Sequence, residues 1–429
     1  MIEVLKHSWA LLLGMLLLML GNGLQGSLLG VRGSGEGFSA FHMSVVMSAY
    51  FVGFLLASRL TPGMIRRVGH VRVFAALGSF ISAVLILYPA FPHPITWTIE
   101  RMIIGFCYCG VYVTAESWLN NASSNQSRGQ ALSLYMIVQM MGIIAAQAML
   151  LIPDTTGFLL FVIPSVLVSI AFAPILLSVS PTPAFDTTRR MSLMELYGVS
   201  PLGFVGMFLL GGVYAAQFGM SAVFASEAGL TLTQISVFVA SFYVGALIAQ
   251  YPLGWLSDRM DRRKLVAAVA FVGGVASLLA AIAPGNFHVL VVAALFAGGA
   301  ANPLYSLLIA YTNDFLPPEN MAAASAGLLF VNGVGAIAGP IVTGFAIQRF
   351  GPGGFFGIIA LLMLGLTVYA GWRMTRRPAP KVADTSAYTA VTPSATPVAV
   401  EVAQEVAIEA AEAAEAEAAS DSSQTDAAA

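Results

Sequence analysis

Long apolar stretches separated by short polar loops fill most of the first 377 residues of the chain. A hydrocarbon core about 30 Å thick requires about 20 residues of helix, and twelve stretches approach or exceed that length. They cover residues 8–30, 43–60, 73–90, 95–118, 130–152, 158–179, 201–224, 233–253, 265–283, 287–311, 321–347 and 354–372. The pattern predicts an all-α integral membrane protein with twelve transmembrane helices. We expect the first stretch to be an uncleaved span, because no Ala-x-Ala-type cleavage site follows it.

Composition supports this class and narrows the chemistry. Hydrophobic residues make up 58% of the chain and charged residues 9%, whereas soluble domains have about 45–50% and about 25%. Cys107 and Cys109 are two positions apart in one predicted helix, so they point in different directions and predict apolar fillers rather than a disulfide. The five histidines show no metal-ligand spacing. We therefore expect no metal, no cofactor and no nucleic-acid partner.

The basic residues predict the orientation in the membrane. Loops that carry an excess of Lys and Arg lie on the cytoplasmic side. With a cytoplasmic N-terminus, fifteen Lys and Arg fall in inside loops and tails, and only Arg32 and Arg349 fall outside. We therefore expect both termini to be cytoplasmic.

The chain divides into four regions by composition. Residues 1–180 and 201–377 each hold six predicted helices, and residues 181–200 link them. Residues 378–429 are rich in Ala, Glu, Pro, Ser and Thr; this composition predicts a disordered tail with a weak helix at 398–419. We expect no chemistry in the tail, with docking of a partner as the alternative.

The two six-helix halves repeat one another in sequence. At an offset of 192 residues, Arg67 aligns with Arg259, Gln25 with Gln217 and Gly53 with Gly245. At an offset of 193, Gly105 aligns with Gly298, Tyr112 with Tyr305 and Gly142 with Gly335. Six helices separate the partners, so the halves share one orientation and are related by an axis along the membrane normal.

Two motifs resemble the major facilitator superfamily (MFS) of transporters, whose halves have this relationship. The segment from Gly254 to Arg263 (GWLSDRMDRR) is similar to the superfamily's loop signature G-x-L-a-D-R-x-G-R-R, with Asp261 in place of the second glycine. Arg101-Met102-Ile103-Ile104-Gly105 resembles its R-x-x-x-G motif. Glu116-Ser117-Trp118-Leu119-Asn120 and Arg128-Gly129 resemble the bacterial YcaD-like group. The resemblance implies a monomeric protein of the bacterial cytoplasmic (inner) membrane.

Two positions depart from the superfamily pattern. In the first-half copy of the loop motif, Arg66 stands where an aspartate is expected. The fifth span also lacks the Gly-Pro motif of drug antiporters, whose relative, Gly339-Pro340, lies in span 11. These departures weaken an assignment to proton-coupled drug efflux.

Arg101 is the leading candidate for binding a solute. Ionisable residues within membrane spans are costly and often functional, and Tyr108 and Tyr112 lie within about 40° of Arg101 around the helix. We expect the amides of Asn22 and Gln25 to hold Arg101 against an anionic or hydrogen-bonding part of the solute. The alternative is a structural arginine satisfied by carbonyl groups of span 1.

Other polar side chains extend the candidate lining. They are Tyr50, Gln217, Tyr243, Asn302, Tyr305 and Asn332. Gln25 and Gln217 would face one another across the pseudo-axis if both point inward. Each residue alone fits helix packing as well as solute contact, but together they predict a polar, nearly uncharged cavity.

Two carboxylates are candidates for proton coupling. Glu116 lies about 22 Å further along the helix than Arg101, near the predicted cytoplasmic surface, where a gate or interfacial carboxylate is the alternative. Glu100 lies about 100° from Arg101 around the helix and favours a structural role or a position facing the headgroups.

The loop motif predicts a cytoplasmic gate. The candidate gate residues are Gly254, Asp258, Arg259, Arg262, Arg263, Arg128, Arg66, Arg67 and Glu319. Asp258 would latch onto the start of span 5, where Arg128 and the helix dipole favour an anion. We also expect a charge-swapped latch of Arg66 with Glu319; the alternative is that Arg66 serves topology only.

These features favour a secondary transporter of a small solute that works by alternating access. No Walker motif is present, and no span pairs a nucleophile with a base, so we expect neither an ATPase nor an enzyme. The resemblance implies proton coupling and, by analogy, efflux. A uniporter and a non-transporting receptor or adaptor remain the alternatives.

Overall fold

A computed structural model of the chain describes residues 2–122, 125–152, 157–177, 191–377, 385 and 388–409. Within these ranges every regular element is a helix. The first half comprises α1 (Ile2–Gly35), α2 (Ala40–Val68), α3 (His70–Ala90), α4 (Pro94–Ala122), α5 (Asn125–Met149) and α6 (Leu159–Leu177). The linker predicted at 181–200 is described only from residue 191. Tail residues 378–384, 386–387 and 410–429 lie outside the described residues.

The second half begins after a short helix, α7 (Leu193–Val199). Its first span consists of α8 (Pro201–Ala215), a π-helical turn (Ala216–Met220) and α9 (Ser221–Glu227). The remaining spans are α10 (Leu232–Ser257), α11 (Arg262–Ile282), α12 (Phe287–Asn313), α13 (Pro318–Phe350) and α14 (Gly354–Met374). A last helix, α15, covers residues 397–409.

The helices have the length and composition of membrane spans. Among the described residues, eleven helical segments are long and apolar enough to cross a membrane, and the shorter apolar helix Leu159–Ala173 adds a twelfth. Large apolar side chains such as Phe80, Ile248 and Leu361 are exposed on their outer surfaces, as lipid contact requires. The prediction of an all-α protein with twelve transmembrane helices is confirmed.

Reciprocal glycines set the close packing of α2 against α4. A Cβ atom on Gly53 would lie 1.9 Å from the carbonyl oxygen of Met102, and one on Gly105 would lie 2.0 Å from that of Tyr50. Only glycine permits two helix backbones to approach this closely. The two glycines therefore hold α2 and α4 in direct backbone contact.

The second half repeats this contact between α10 and α12. A Cβ atom on Gly245 would lie 2.0 Å from the carbonyl oxygen of Leu295, and one on Gly298 would lie 2.0 Å from that of Phe242. These are the glycines that the sequence repeat pairs with Gly53 and Gly105. The sequence repeat thus preserves the same close backbone contact in both halves.

The halves pack tightly at the membrane face where α1 ends and α2 begins, called here the far face. Ser48 on α2 donates a hydrogen bond to the Ile337 carbonyl of α13 at 2.6 Å. Ser236 on α10 donates to the Gln147 carbonyl of α5 at 2.6 Å. A Cβ atom on Gly30 would lie 2.8 Å from the Cβ of Ala222. The described parts of the two halves are thus in direct contact at all three places.

The opposite face, called here the loop-motif face, carries residues 254–263. Here a cleft of about 950 Å³ separates α5 from α10. Residues 388–409 lie in this opening, with Val391, Thr396 and Ala399 at most 2% exposed. Residues 398–409 of this stretch are helical, within the weak helix predicted at 398–419; the burial of the stretch was not predicted. The small Ala and Val side chains of this stretch fit a narrow space between helices.

Candidate solute-binding site

A central cavity of about 40 Å³ lies where the two halves meet. Its walls include four of the predicted binding residues, Asn22 and Tyr112 from α1 and α4, Tyr50 from α2 and Asn332 from α13. Asn22 donates a hydrogen bond to the Tyr112 hydroxyl at 2.9 Å. Asn332 donates to the Met207 carbonyl of α8 at 3.0 Å. Both halves therefore supply polar groups to one site.

Arg101 lies directly behind this cavity. Its side chain is 0% exposed, and its guanidinium carbon lies 4.9 Å from the centre of the Tyr50 ring and 6.0 Å from that of Phe218. All three of its side-chain nitrogens are buried without a hydrogen-bond partner among the described residues. Ring faces attract a desolvated cation by about 2 kcal/mol, whereas burial of an unpaired ion costs several kcal/mol. Arg101 is thus a buried cation with unused donors.

The two span-1 amides do not hold Arg101 as expected. Gln25 donates instead to the Tyr88 hydroxyl at 3.3 Å, and Asn22 donates to Tyr112. Their carbonyl oxygens, Oδ1 of Asn22 and Oε1 of Gln25, are buried and accept no hydrogen bond within the described part of the chain. The amides nevertheless share a helix with Gly26, where an added Cβ would lie 3.8 Å from the Arg101 guanidinium.

The remaining predicted lining residues have other surroundings. Tyr108 donates to the Leu18 carbonyl at 3.4 Å, and Asn302 donates to the Gly298 carbonyl of its own helix at 3.4 Å. Tyr305 is buried, and its hydroxyl lacks a partner among the described residues, as does Nε2 of Gln217. Gln217 therefore makes no hydrogen bond through that nitrogen to Gln25. Tyr243 is only partly buried.

Aromatic side chains that the sequence reasoning missed complete the cavity. Phe51 and Phe54 of α2 and Tyr214 and Phe218 of the second half line it. The rings of Tyr214 and Phe218 stack with centroids 6.0 Å apart. The repeat held a signal for one of them, because the 192-residue offset that aligns Gln25 with Gln217 also aligns Asn22 with Tyr214.

The two candidate carboxylates are both buried in α4. Glu100 is 5% exposed, and its Oε2 atom has no hydrogen-bond partner among the described residues; it faces a protein neighbour rather than headgroups. Glu116 is 3% exposed and accepts a hydrogen bond from the Tyr135 hydroxyl of α5 at 3.3 Å. Glu116 also accepts hydrogen bonds from Thr396 and from the backbone N–H of Ala399.

The loop motif ties the second half together. Arg262 is 3% exposed and donates to Ser257 at 3.0 Å and to the Ala310 carbonyl at 3.2 Å. It also pairs with Asp258 and Asp314. Arg262 thus joins the α10–α11 loop to α12. Arg259, in contrast, stacks on the Trp255 ring at 4.2 Å on the surface.

The substitution of the motif's second glycine has a structural explanation. Asp261 caps the start of α11 by accepting a hydrogen bond from the Arg263 backbone N–H at 3.0 Å, and its other oxygen pairs with the Arg263 guanidinium at 2.9 Å. Burial alone would raise the pKa of Asp261, but the hydrogen bonds and charge of Arg263 outweigh it and lower that pKa. Asp261 is therefore a charged helix cap.

Neither predicted latch is closed in this conformation. The ion pairs within the described ranges do not join Arg128 to Asp258; Arg128 pairs with Glu405 of α15 instead. Arg66, Arg67 and Glu319 are exposed, and no ion pair joins Arg66 to Glu319 among the same residues. Gly254 lies against the ring of Tyr388 from the tail. The tail thus occupies the place between the expected partners.

This fold defines a multi-pass membrane protein, and the proteins that it resembles are named as transporters. The sequence family described as the Major Facilitator Superfamily matches residues 202–405. The chain is 29% identical over 363 residues to the uncharacterized MFS-type transporter YcaD of Escherichia coli, covering 82% of this chain and 91% of that protein. It is 26% identical over 338 residues to the uncharacterized MFS-type transporter YfkF of Bacillus subtilis, covering 76% and 85%.

A solved structure shows the same fold. The nucleoside transporter NupG, in a mutant form, superposes with a TM-score of 0.71 at 16% identity, covering 86% of this chain and 99% of that one. The resemblance to the major facilitator superfamily and to its YcaD-like group, inferred above from motifs, is confirmed.

Proposed function

We propose that this protein is a secondary transporter that moves a small solute by alternating access, with the loop-motif face cytoplasmic. The observation that carries the proposal is the central cavity between two pseudo-symmetric halves, to which both contribute polar groups. The far face is packed and the loop-motif face is parted. This arrangement corresponds to the inward-open end of a rocking cycle.

The solute is a small amphipathic molecule with one anionic or strongly hydrogen-bond-accepting group. Arg101 supplies a buried cation beside the cavity, with donors that the described residues leave unused. Tyr50, Phe51 and Phe218 supply apolar ring surface. A guanidinium binds a carboxylate through two parallel hydrogen bonds, so one carboxylate would satisfy Arg101. A multiply charged solute would bring further charges that the described lining of this cavity does not neutralise.

Proton coupling would run through Glu116. This carboxylate is buried in a span with a hydrogen bond from Tyr135, and ionisable groups inside membranes commonly serve as proton relays. Glu116 lies between the solute cavity and the loop-motif face, so it would exchange protons with the cytoplasm once the residues that cover it on that side have moved away. A proton gradient would then drive efflux, the direction that the superfamily analogy favours.

The test is solute flux in proteoliposomes across a panel of small carboxylates and other amphipathic solutes, with and without an imposed pH gradient. We expect flux to follow the gradient, to disappear in Arg101→Ala and to lose its dependence on the gradient in Glu116→Gln. Arg349→Ala and Glu227→Gln are matched controls, because both residues are exposed and lie away from the cavity.

Each alternative predicts a distinct result. Flux that ignores the pH gradient in the unmodified protein indicates a uniporter and excludes proton coupling through Glu116. Flux that survives in Arg101→Ala excludes the proposed solute site. If folded protein transports no solute in the panel, the receptor or adaptor function replaces this proposal.

A further inference from the structure

Residues 388–409 bridge the two halves at the loop-motif face, and we call this segment the tail plug. Residues 388–396 form no helix or strand and contain one turn, and residues 397–409 form α15. Pro393 and Ser394, at its innermost point, form part of the wall of the central cavity. The segment therefore reaches from the cytoplasmic opening to the solute site.

On the first half, the plug is bound at the candidate coupling residue. Glu116 accepts hydrogen bonds from the Thr396 hydroxyl and, at 3.3 Å, from the Ala399 backbone N–H. These groups form the start of α15, where free N–H groups and the helix dipole favour an anion. Glu116 thus caps α15 from another helix. Further along α15, Glu405 pairs with Arg128.

On the second half, the plug is bound by α12 and α13. Ser306 accepts a hydrogen bond from the Val391 N–H at 2.9 Å and donates one to the Val391 carbonyl at 2.9 Å. Gln404 accepts from Asn313 at 2.8 Å and donates to Ser325 at 2.8 Å. Buried polar groups of the transporter are therefore satisfied by the plug.

At the loop-motif face, the plug contacts residues of the loop motif and of α10. The Tyr388 backbone N–H donates to Asp258 at 2.9 Å, and its hydroxyl accepts from Gln250 at 3.0 Å. The Tyr388 ring covers Gly254 so closely that a Cβ there would lie 2.7 Å from it. Both members of the predicted latch, Asp258 and Arg128, are thereby bound to the tail.

We propose that residues 388–409 are an autoinhibitory plug that occupies the inner part of the cytoplasmic vestibule, beside the cleft of about 950 Å³, and holds the transporter inward-open. The inference rests on the proposed function, since transport is what the plug blocks. A cavity of about 40 Å³ has room for only about three water molecules at about 10–15 Å³ each, so solute and plug exclude one another. Because the plug bonds to both halves, the halves close on the cytoplasmic side only after it leaves.

The first test measures access to the cavity without requiring a transported solute. Ser58 lines the cavity, and a cysteine placed there in a Cys107→Ala, Cys109→Ala background reports access of a water-soluble maleimide from the loop-motif face. We expect labelling at least tenfold faster in protein truncated after Arg377 than in the full chain. Equal labelling rates in the two proteins would overturn the proposal.

A second test uses a reversible disulfide between the plug and α5. It does not depend on truncation, which could affect folding by itself. A Cβ on Gly129 would lie 3.0 Å from Cγ1 of Val406, a spacing compatible with a disulfide. In the same cysteine-free background, Gly129→Cys with Val406→Cys should form a disulfide that lowers solute flux at least fivefold, and a reductant should restore the flux. Either cysteine alone is the control. Flux that is unchanged by a formed disulfide contradicts the plug.

A point variant tests the Glu116 contact. Thr396→Val removes the hydroxyl bonded to Glu116 and should speed Ser58→Cys labelling several-fold. Thr389→Val is the matched control, because Thr389 makes no hydrogen bond within the described ranges. Faster labelling after truncation together with an absence of flux for any solute would support the plug and overturn the transport proposal. Equal labelling rates of the truncated and full-length proteins, together with measurable flux, would overturn the plug and support the transport proposal.

Discussion

The Glu116 carboxylate lies 3.3 Å from the backbone nitrogen of Ala399, a residue 283 positions later in the chain. This hydrogen bond joins a buried membrane helix to a stretch of the tail whose composition alone predicts only a weak helix. A carboxylate committed to the start of a helix is not free to exchange protons with the cytoplasm. The tail plug therefore affects the solute path and the coupling residue together.

Arg101→Met should make the empty protein more stable while abolishing solute binding. Replacing a buried ion by an apolar side chain of similar size is often stabilising by about 1–4 kcal/mol, and Arg101 makes no hydrogen bond to the described residues. Thermal unfolding in detergent measures the stability, and solute-induced stabilisation measures binding. A loss of stability would instead assign Arg101 a structural role.

Gly105→Ala and Gly298→Ala should both destabilise the protein by at least about 1–3 kcal/mol, as overpacking does. Each added methyl group would lie 2.0 Å from a backbone carbonyl oxygen, which a side-chain movement cannot relieve. Gly365→Ala on α14 is the control, since nothing lies within 4 Å of its added Cβ. Unfolding temperatures of the three variants check this, and equal temperatures would contradict the close packing.

Asp261→Ala should cost about 1 kcal/mol of stability, the usual effect of removing a helix N-cap. The folded protein lowers the pKa of Asp261, so the ionised carboxylate stabilises the fold above the pKa of the unfolded chain. This contribution is lost as the pH falls through the folded pKa. The difference in unfolding temperature between the two proteins should therefore shrink below about pH 3.8, the ordinary value. If the difference in unfolding temperature does not change with pH, the charge of Asp261 does not contribute to stability.

Arg66→Glu and Glu319→Arg should each lower flux, and the double variant should restore it. The two residues are exposed and unpaired with one another in this structure, so a latch between them would form only when the loop-motif face closes. Exposed pairs contribute about 0.2–1 kcal/mol, which predicts flux changes of a few-fold. A double variant no better than the single ones would leave Arg66 with a role in topology alone.

The sequence predicted the fold through features that repeat along the chain. Apolar length identified the spans, and the pairing of Gly53 with Gly245 pointed to a backbone contact that occurs in both halves. The lining of the central cavity was only partly predictable. Asn22, Tyr50 and Tyr112 were identified from polarity within spans, whereas Phe51 and Phe218 were missed because an aromatic ring facing a cavity has the same sequence signal as one facing lipid.

The burial of residues 388–409 could not be predicted from the sequence, for a physical reason that applies beyond this chain. Val391, Ala399 and Ala403 are weakly apolar and cannot form a core of their own. Their burial depends on a vestibule assembled from helices of both halves, which lie far from the tail in sequence. The local composition of the tail contains no information about such a vestibule.

The short connection between α14 and the plug determines how strongly the plug competes for its site. Only 13 residues separate Met374, at the end of α14, from Tyr388. A tether of this length keeps a ligand near its site at an effective concentration on the order of millimolar. Every copy of the protein therefore meets its own inhibitor at the same strength, however much protein the cell makes. A freely diffusing competitor at micromolar levels would need an affinity about a thousandfold higher to displace it, so release is better achieved by a partner or a covalent modification that acts on the tail itself.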